Sequence, residues 1–272
     1  MDIRDVHAAL VTETQENLAY MTGTSPAAEL GEIFEKLSEC FQALGICHLL
    51  ETGDTEQFRE NLVRSGHTRK SFLSRSQREG NQRDRHLAIS RTEAILDVLA
   101  AGHLPLAREI VQLSPETWER AGEYEDDFCY FRFLHLLVRA TEPWPEKELD
   151  EVLARFEQAL EGADSARLAV CKALRSRSAD DFRSALTELL EQKQEALDKK
   201  RPLMTESGDF LFWPVSFVST EGLALLRLAE MVGLQVEEEF PLCPEAARVP
   251  PTDKVYLDLF QEIDKLAGRG GP

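Results

Sequence analysis

An all-α protein is what this sequence predicts, on three observations. Leu, Ala, Glu, Arg and Gln dominate while β-branched residues are sparse, which summed over many windows favours helix. Apolar residues recur three and four apart in segment after segment, the spacing that lines one face of a helix. The breaks between those segments are short and rich in Gly, Pro, Ser and Thr. At 272 residues and 43% hydrophobic, the chain is long enough to bury a substantial core.

The elements follow in order. Residues 2–20 place Ile3, Val6, Leu10, Val11 and Leu18 at helical spacing. Thr-Gly-Thr-Ser-Pro at 22–26 interrupts, with Ser25 the expected N-cap and Pro26 in the first turn of a helix over 26–50. Thr52-Gly-Asp-Thr closes that helix, and another resumes near Thr55. Residues 75–84 contain no apolar side chain and are expected to form an exposed loop. Amphipathic helices are expected over 87–101 and 104–113, turning at Gly102. An aromatic-rich helix over 124–141 ends at Pro143-Trp144-Pro145 and is followed by one over 147–160. Helices over 166–174 and 182–197 turn at 176–178. Helices over 220–232 and, introduced by Pro251, over 254–266 complete the set.

The turns at Gly102, Pro143 and Ser178 lie 41 and 35 residues apart. Antiparallel helix pairs at that interval suggest a degenerate helical-repeat array of the tetratricopeptide or HEAT kind, with a large α-bundle as the alternative. The expected organisation is an N-terminal helical subregion at 1–75 packed with a repeat-like region at 84–266 as one domain. A disordered tail is expected at 267–272.

Charge is distributed unevenly. Residues 59–91 hold nine Arg or Lys against three acids, a net +6, while the rest of the chain carries −24, giving −18 in all. Such a field repels nucleic acid and anionic membrane and attracts a basic partner. Within the island only Phe72 offers an aromatic for base stacking, so it is expected to lie against the chain's own acids.

Five cysteines, with no Cys-x-x-Cys pair, indicate no disulfide framework and favour a reducing compartment. The N-terminus has acids where a signal peptide needs bases, and no apolar run approaches the ~20 residues that span a bilayer. A cytoplasmic protein is expected.

The chain has no Gly-rich phosphate loop, no GxSxG elbow and no HExxH. Cys129 and His135 are six apart and face different sides of one helix, and Cys47 and His48 are adjacent and point apart. No catalytic, cofactor or metal residue is assigned. The acids Glu119, Glu123, Glu125, Asp126 and Asp127 open one helix, and Glu146 and Asp150 open the next. They either complement the helix dipoles or, if the two helices pair, form an anionic rim for a cationic partner. Glu221 and Glu230 sit on an apolar stretch and need partners; for Glu221 an arginine of the basic island, Arg69 or Arg85, is expected. The aromatic run at 210–218 is either core packing or the wall of a ligand pocket.

Three segments, EYEDDFCY at 123–130, EGLALLRLAE at 221–230 and FPLCPEAAR at 240–248, resemble the Immunity protein 49 family of bacterial polymorphic-toxin antidotes. SGHTRKSFL at 65–73 and residues 182–190 fit the same layout, so the likeness runs from about Arg64 to Arg248. The resemblance implies a cytoplasmic, non-enzymatic protein that neutralises a cognate protein toxin, a basic nuclease among the candidates, by direct stoichiometric binding. The residues by themselves also admit a tetratricopeptide-like adaptor for a peptide or regulator. A metal-dependent all-α enzyme using the acids of 119–127 is the third reading. Oligomeric state is left open.

Overall fold

The computed structural model describes residues 2–21, 25–81, 84–91, 93–140 and 144–266. Twelve α-helices account for the fold, and among the described residues there is no strand, only an isolated bridge between Phe240 and Cys243. They are α1 (Ile3–Met21), α2 (Ala27–Thr52), α3 (Thr55–Arg78), α4 (Ala94–Ala100), α5 (Leu104–Leu113) and α6 (Glu125–Arg139). Then come α7 (Glu146–Ala159), α8 (Ala166–Ser176), α9 (Ala179–Ser207), α10 (Phe212–Val215), α11 (Thr220–Met231) and α12 (Leu259–Leu266). Short 3-10 turns occupy Arg85–Leu87 and Glu245–Ala247.

Local chemistry starts and stops most of these helices. Gly53, with φ of 69°, ends α2, and the Asp54 carboxylate then accepts the N–H groups of Glu56 and Gln57 to start α3. Ser165, Ser178 and Ser219 cap α8, α9 and α11 in the same way. At Gly102, φ is 72° and a Cβ would lie 2.9 Å from the Pro250 carbonyl oxygen, so two requirements there demand glycine.

The helices α1 to α3 form consecutive hairpins, and from α5 to α9 each helix packs against the next, as in a repeat array. The array does not stay open. Helix α11 returns to pack on α4 and α9, α10 lies on α2, and α12 lies on α3. One buried cluster runs from Val6 in α1 to Phe260 in α12, with Phe58, Phe72, Tyr130, Phe133, Phe156 and Phe182 among its largest members. Helices α3 and α4 approach so closely that a Cβ on Gly66 would sit 2.1 Å from a methyl of Val98.

Several elements depart from the sequence reading. Pro26, not Ser25, occupies the N-cap position of α2 and offers no side-chain cap. The Ala27 N–H is instead taken by the Glu79 carboxylate at 2.7 Å, from the far end of α3. The segment 75–84 is not all exposed loop: α3 continues to Arg78, and Arg75 is 1% exposed. Its guanidinium meets Asp264 of α12 at 2.5 Å and lies over the Phe34 ring, so tertiary partners bury a residue that composition places outside. Of 87–101 only Ala94–Ala100 is α-helical, because Arg69 takes the carbonyls of His86, Leu87 and Ala88 that a helix would use internally.

Helix α9 runs ten residues past the expected end, through Pro202, to Gly208 in the left-handed region. The last helix begins at Leu259 rather than 254, because the chain before it is held to other elements. Thr252 donates its N–H to the Gly102 carbonyl, and the Lys254 carbonyl meets the His103 ring at 3.1 Å. Asp258 then meets His67 and Lys70. The break at 22–24, Arg83, Pro143 and the expected tail at 267–272 lie outside the described residues.

Candidate functional site

The acids expected to face a partner are mostly engaged within the molecule. Glu125, Asp126 and Asp127 occupy the first turn of α6, where they complement its dipole. Arg155 of α7 donates to Glu125 at 2.7 Å and covers the rings of Trp118 and Phe128. Arg167 of α8 donates to Asp127 at 3.0 Å. Glu123 accepts the Ser90 N–H at 3.0 Å, and its burial pushes the carboxyl above its ordinary range. Arg175 of α8 serves both Asp150, at 2.8 Å, and Glu146, at 3.6 Å. Among the described residues, only Glu119 and Asp126 of the seven have no ion pair or side-chain hydrogen bond, and Glu119 is exposed. Helices α6, α7 and α8 are thus laced together by acids that the sequence left between dipole capping and a partner-facing rim. Because α6 and α7 are antiparallel, the acids of 123–127 and of 146–150 lie at opposite ends and share no rim.

Glu221 has partners other than the expected ones. It is 3% exposed, and its carboxylate accepts from Arg167 at 2.9 Å and from Lys193 of α9 at 3.4 Å. Burial works to raise its pKa, but Lys193 and Arg167 outweigh that and hold it below the usual carboxylate range. Arg167 also stacks over Tyr130, 4.6 Å from the ring centroid. Arg69 binds backbone carbonyls instead, and Arg85 meets Glu32 at 2.8 Å on the surface. Other described members of the basic island are likewise engaged internally: Arg59 on the Pro250 carbonyl, Arg64 on Glu60, Lys70 on Glu109 and Asp258, Arg75 and Arg78 on Asp264, and Arg91 on Glu35.

A second buried polar group was not foreseen. Asp97, 1% exposed on α4, accepts from Gln42 at 2.7 Å and from Ser65 at 2.6 Å, while Gln42 also reaches Thr220 at 2.9 Å. Burial raises the Asp97 carboxyl to about 7. The only sequence signal was a lone acid inside the apolar run 94–101. This network forms the floor of a cleft of about 850 Å³ between α2, the start of α4, the end of α9 and α10. Glu35, Glu39 and Glu93 line one side. Phe210, Leu211 and Phe212 line the other, while Val218 joins the core, so the 210–218 run serves as both pocket wall and packing.

Reactive groups are muted elsewhere. Burial pushes the Cys129 thiol up to about 11 and the Cys47 thiol up to about 12, far from a thiolate at neutral pH. Burial drives His135 down to about 3, so it stays neutral. Among the described residues no group of three or more His, Cys, Asp or Glu could hold a metal ion, and no helix is long and apolar enough to cross a membrane.

Fold and surface together define the class: an all-α scaffold, cross-braced by ion pairs, with an acidic-and-aromatic cleft. The family model Immunity protein 49 matches residues 66–247, and the chain belongs to that family. The match takes in Arg69, Asp97, Glu123, Arg167, Lys193 and Glu221, and it leaves α1 and α2 outside. Comparison with curated proteins and with solved structures returned no match.

Proposed function

We propose that this protein neutralises a cognate bacterial toxin by direct stoichiometric binding through an acidic helical surface, in the cytoplasm. The family match over residues 66–247 carries the reading, since it points to immunity and to binding rather than catalysis. The net charge of −18 supports it physically: an anionic scaffold speeds encounter with a basic partner such as a nuclease, whose own target is phosphate. Residues 2–56 are strongly one-sided, with eleven acids against Arg4 and Lys36. Glu32, Glu35 and Glu56 meet Arg85, Arg91 and Lys254 from later in the chain, and the remaining acids of α1 and α2 add to the anionic surface. Helices α6 and α7 run antiparallel, with Arg155 near the end of α7 on Glu125 at the start of α6, so the acids of 119–127 and those of 146–150 lie at opposite ends and not on one rim. Glu119 and Asp126 are the acids free to meet a partner, while Glu123, Glu125 and Asp127 at one end and Glu146 and Asp150 at the other brace the helices. Co-expression with the toxin encoded beside it should restore growth, and the two proteins should co-purify at one-to-one stoichiometry. No protection against any neighbouring toxin would remove the proposal.

A further inference from the structure

Charge is unbalanced inside the cleft between α2, α4, α9 and α10. Four carboxylates, Glu35, Glu39, Glu93 and Asp209, line it above the Asp97 floor. Three cations stand against these four acids: Arg91 meets Glu35 at 3.2 Å, Lys193 meets Glu221 at 3.4 Å while its charge also acts on Glu93, and the charge of Lys36 acts on Glu39. Asp209 caps α10 by accepting the N–H groups of Leu211 and Phe212. Glu93 accepts a long 3.4 Å contact from Gln42 and feels the charge of Lys193, with no ion pair among the described residues. Glu39 is raised above its ordinary pKa by burial, an effect that Lys36 offsets and that Glu35, Glu93 and Asp209 reinforce. Facing these acids is the half-buried wall of Phe210, Leu211 and Phe212.

We propose that this cleft is the socket for an arginine side chain presented by the toxin, so the inference rests on the toxin-binding reading above. A guanidinium matches both walls at once. Its planar fork bonds to paired carboxylates, its face stacks on an aromatic ring, and its stem is apolar. At about 850 Å³ the space exceeds one side chain and admits the tip of the loop that carries it. A metal ion fits worse, because no three ligating side chains converge there among the described residues. A polyanion is excluded by sign. Buried arginines in pockets of this kind are typical anchors of protein interfaces. Glu35, Glu39 and Gln42 come from α2, outside the segment 66–247, whereas Glu93, Asp97 and the aromatic wall come from inside it. The socket is therefore assembled only when α2 docks on the family's helical body.

The test uses the full chain, labelled for amide NMR, titrated with the capped peptide acetyl-Gly-Arg-Gly-amide and with its norleucine counterpart. The arginine peptide should shift the Glu93, Gly208 and Phe212 amides saturably, the norleucine peptide should not, and Glu39→Gln/Glu93→Gln should weaken binding about tenfold or more. Glu39 is only partly desolvated, both residues keep surface open to solvent, and neither forms an ion pair among the described residues, so the fold should survive and the untouched amide spectrum reports that it has. Absence of a saturable shift at those amides, or equal binding by the double variant, overturns the socket. With the toxin in hand, full protection by the double variant would overturn the socket while leaving toxin binding intact. Failure of the unaltered protein to protect would remove both.

Discussion

Replacing Arg167 by Met probes the centre of the ion network. The change keeps an apolar stem of similar length but removes the guanidinium from Glu221, Asp127 and the face of Tyr130. Stripping one partner from a buried pair costs about 3–5 kcal/mol when nothing replaces it. Here Lys193 remains 3.4 Å from Glu221 and the Arg167 side chain is 31% exposed, so about 2–3 kcal/mol is expected. Glu221→Gln should cost less, about 1–2 kcal/mol, because Arg167 keeps Asp127 at 3.0 Å. The double variant should cost less than the two singles together by at least about 1 kcal/mol, since they remove one shared interaction.

The sign of the pH dependence is set by Glu221. Its folded pKa lies below the unfolded one, so its stabilising contribution is present at neutral pH and is lost as pH falls through the folded value. The gap between wild type and Arg167→Met should therefore narrow as pH falls through and below the ordinary carboxylate range, because a protonated Glu221 no longer needs the cation. Urea unfolding followed by circular dichroism, from neutral to acidic pH, measures all of this. A cost under about 0.5 kcal/mol, additive singles, or a gap that ignores pH would refute the argument that this network braces α6, α8, α9 and α11.

Other perturbations separate the remaining parts of the structure. Asp97 is raised when folded, so its contribution is full below the unfolded pKa and is lost as pH rises towards about 7. Asp97→Asn should remove up to about 4 kcal/mol of that slope in urea titrations, and an unchanged slope would mean that Asp97 does not titrate in this range. Gly66→Ala should destabilise by about 1–3 kcal/mol because its Cβ meets Val98 at 2.1 Å and Leu106 at 2.9 Å; a wild-type midpoint would show that the α3–α4 crossing relaxes freely. Glu119→Lys/Asp126→Lys should slow toxin association measured by surface plasmon resonance, and the wild-type rate should fall as salt shortens the Debye length to ~8 Å and below. An unchanged rate would move the docking face away from the start of α6.

Helix identity was written into the sequence, and the reason is the short range of the forces that decide it. Spacing of apolar residues, Asp54 and the capping serines, and the left-handed turn at Gly102 all act within about one helical turn, so α5 at Leu104–Leu113 is where the periodicity places it. The family was legible for a similar reason, through contiguous segments such as 123–130 and 221–230. The destination of the charges was not. Arg69 ends on carbonyls 17 to 19 residues away, Glu221 on cations 54 and 28 residues away, and Gln42 on a hydroxyl 178 residues away. Any of several arginines satisfies the sequence equally well; which one meets Glu221 depends on how α8, α9 and α11 cross. Composition likewise marks Arg75 as a surface residue, and only the arrival of α12 with Asp264 makes burying it tolerable. The cleft belongs to the same class, since Glu35 and Glu39 lie on α2, Glu93 lies beside α4, and Asp209 with the aromatic wall lies more than a hundred residues later. Local spacing thus sets which segments coil, while long-range packing decides which charges are consumed inside the molecule and which are left for a partner.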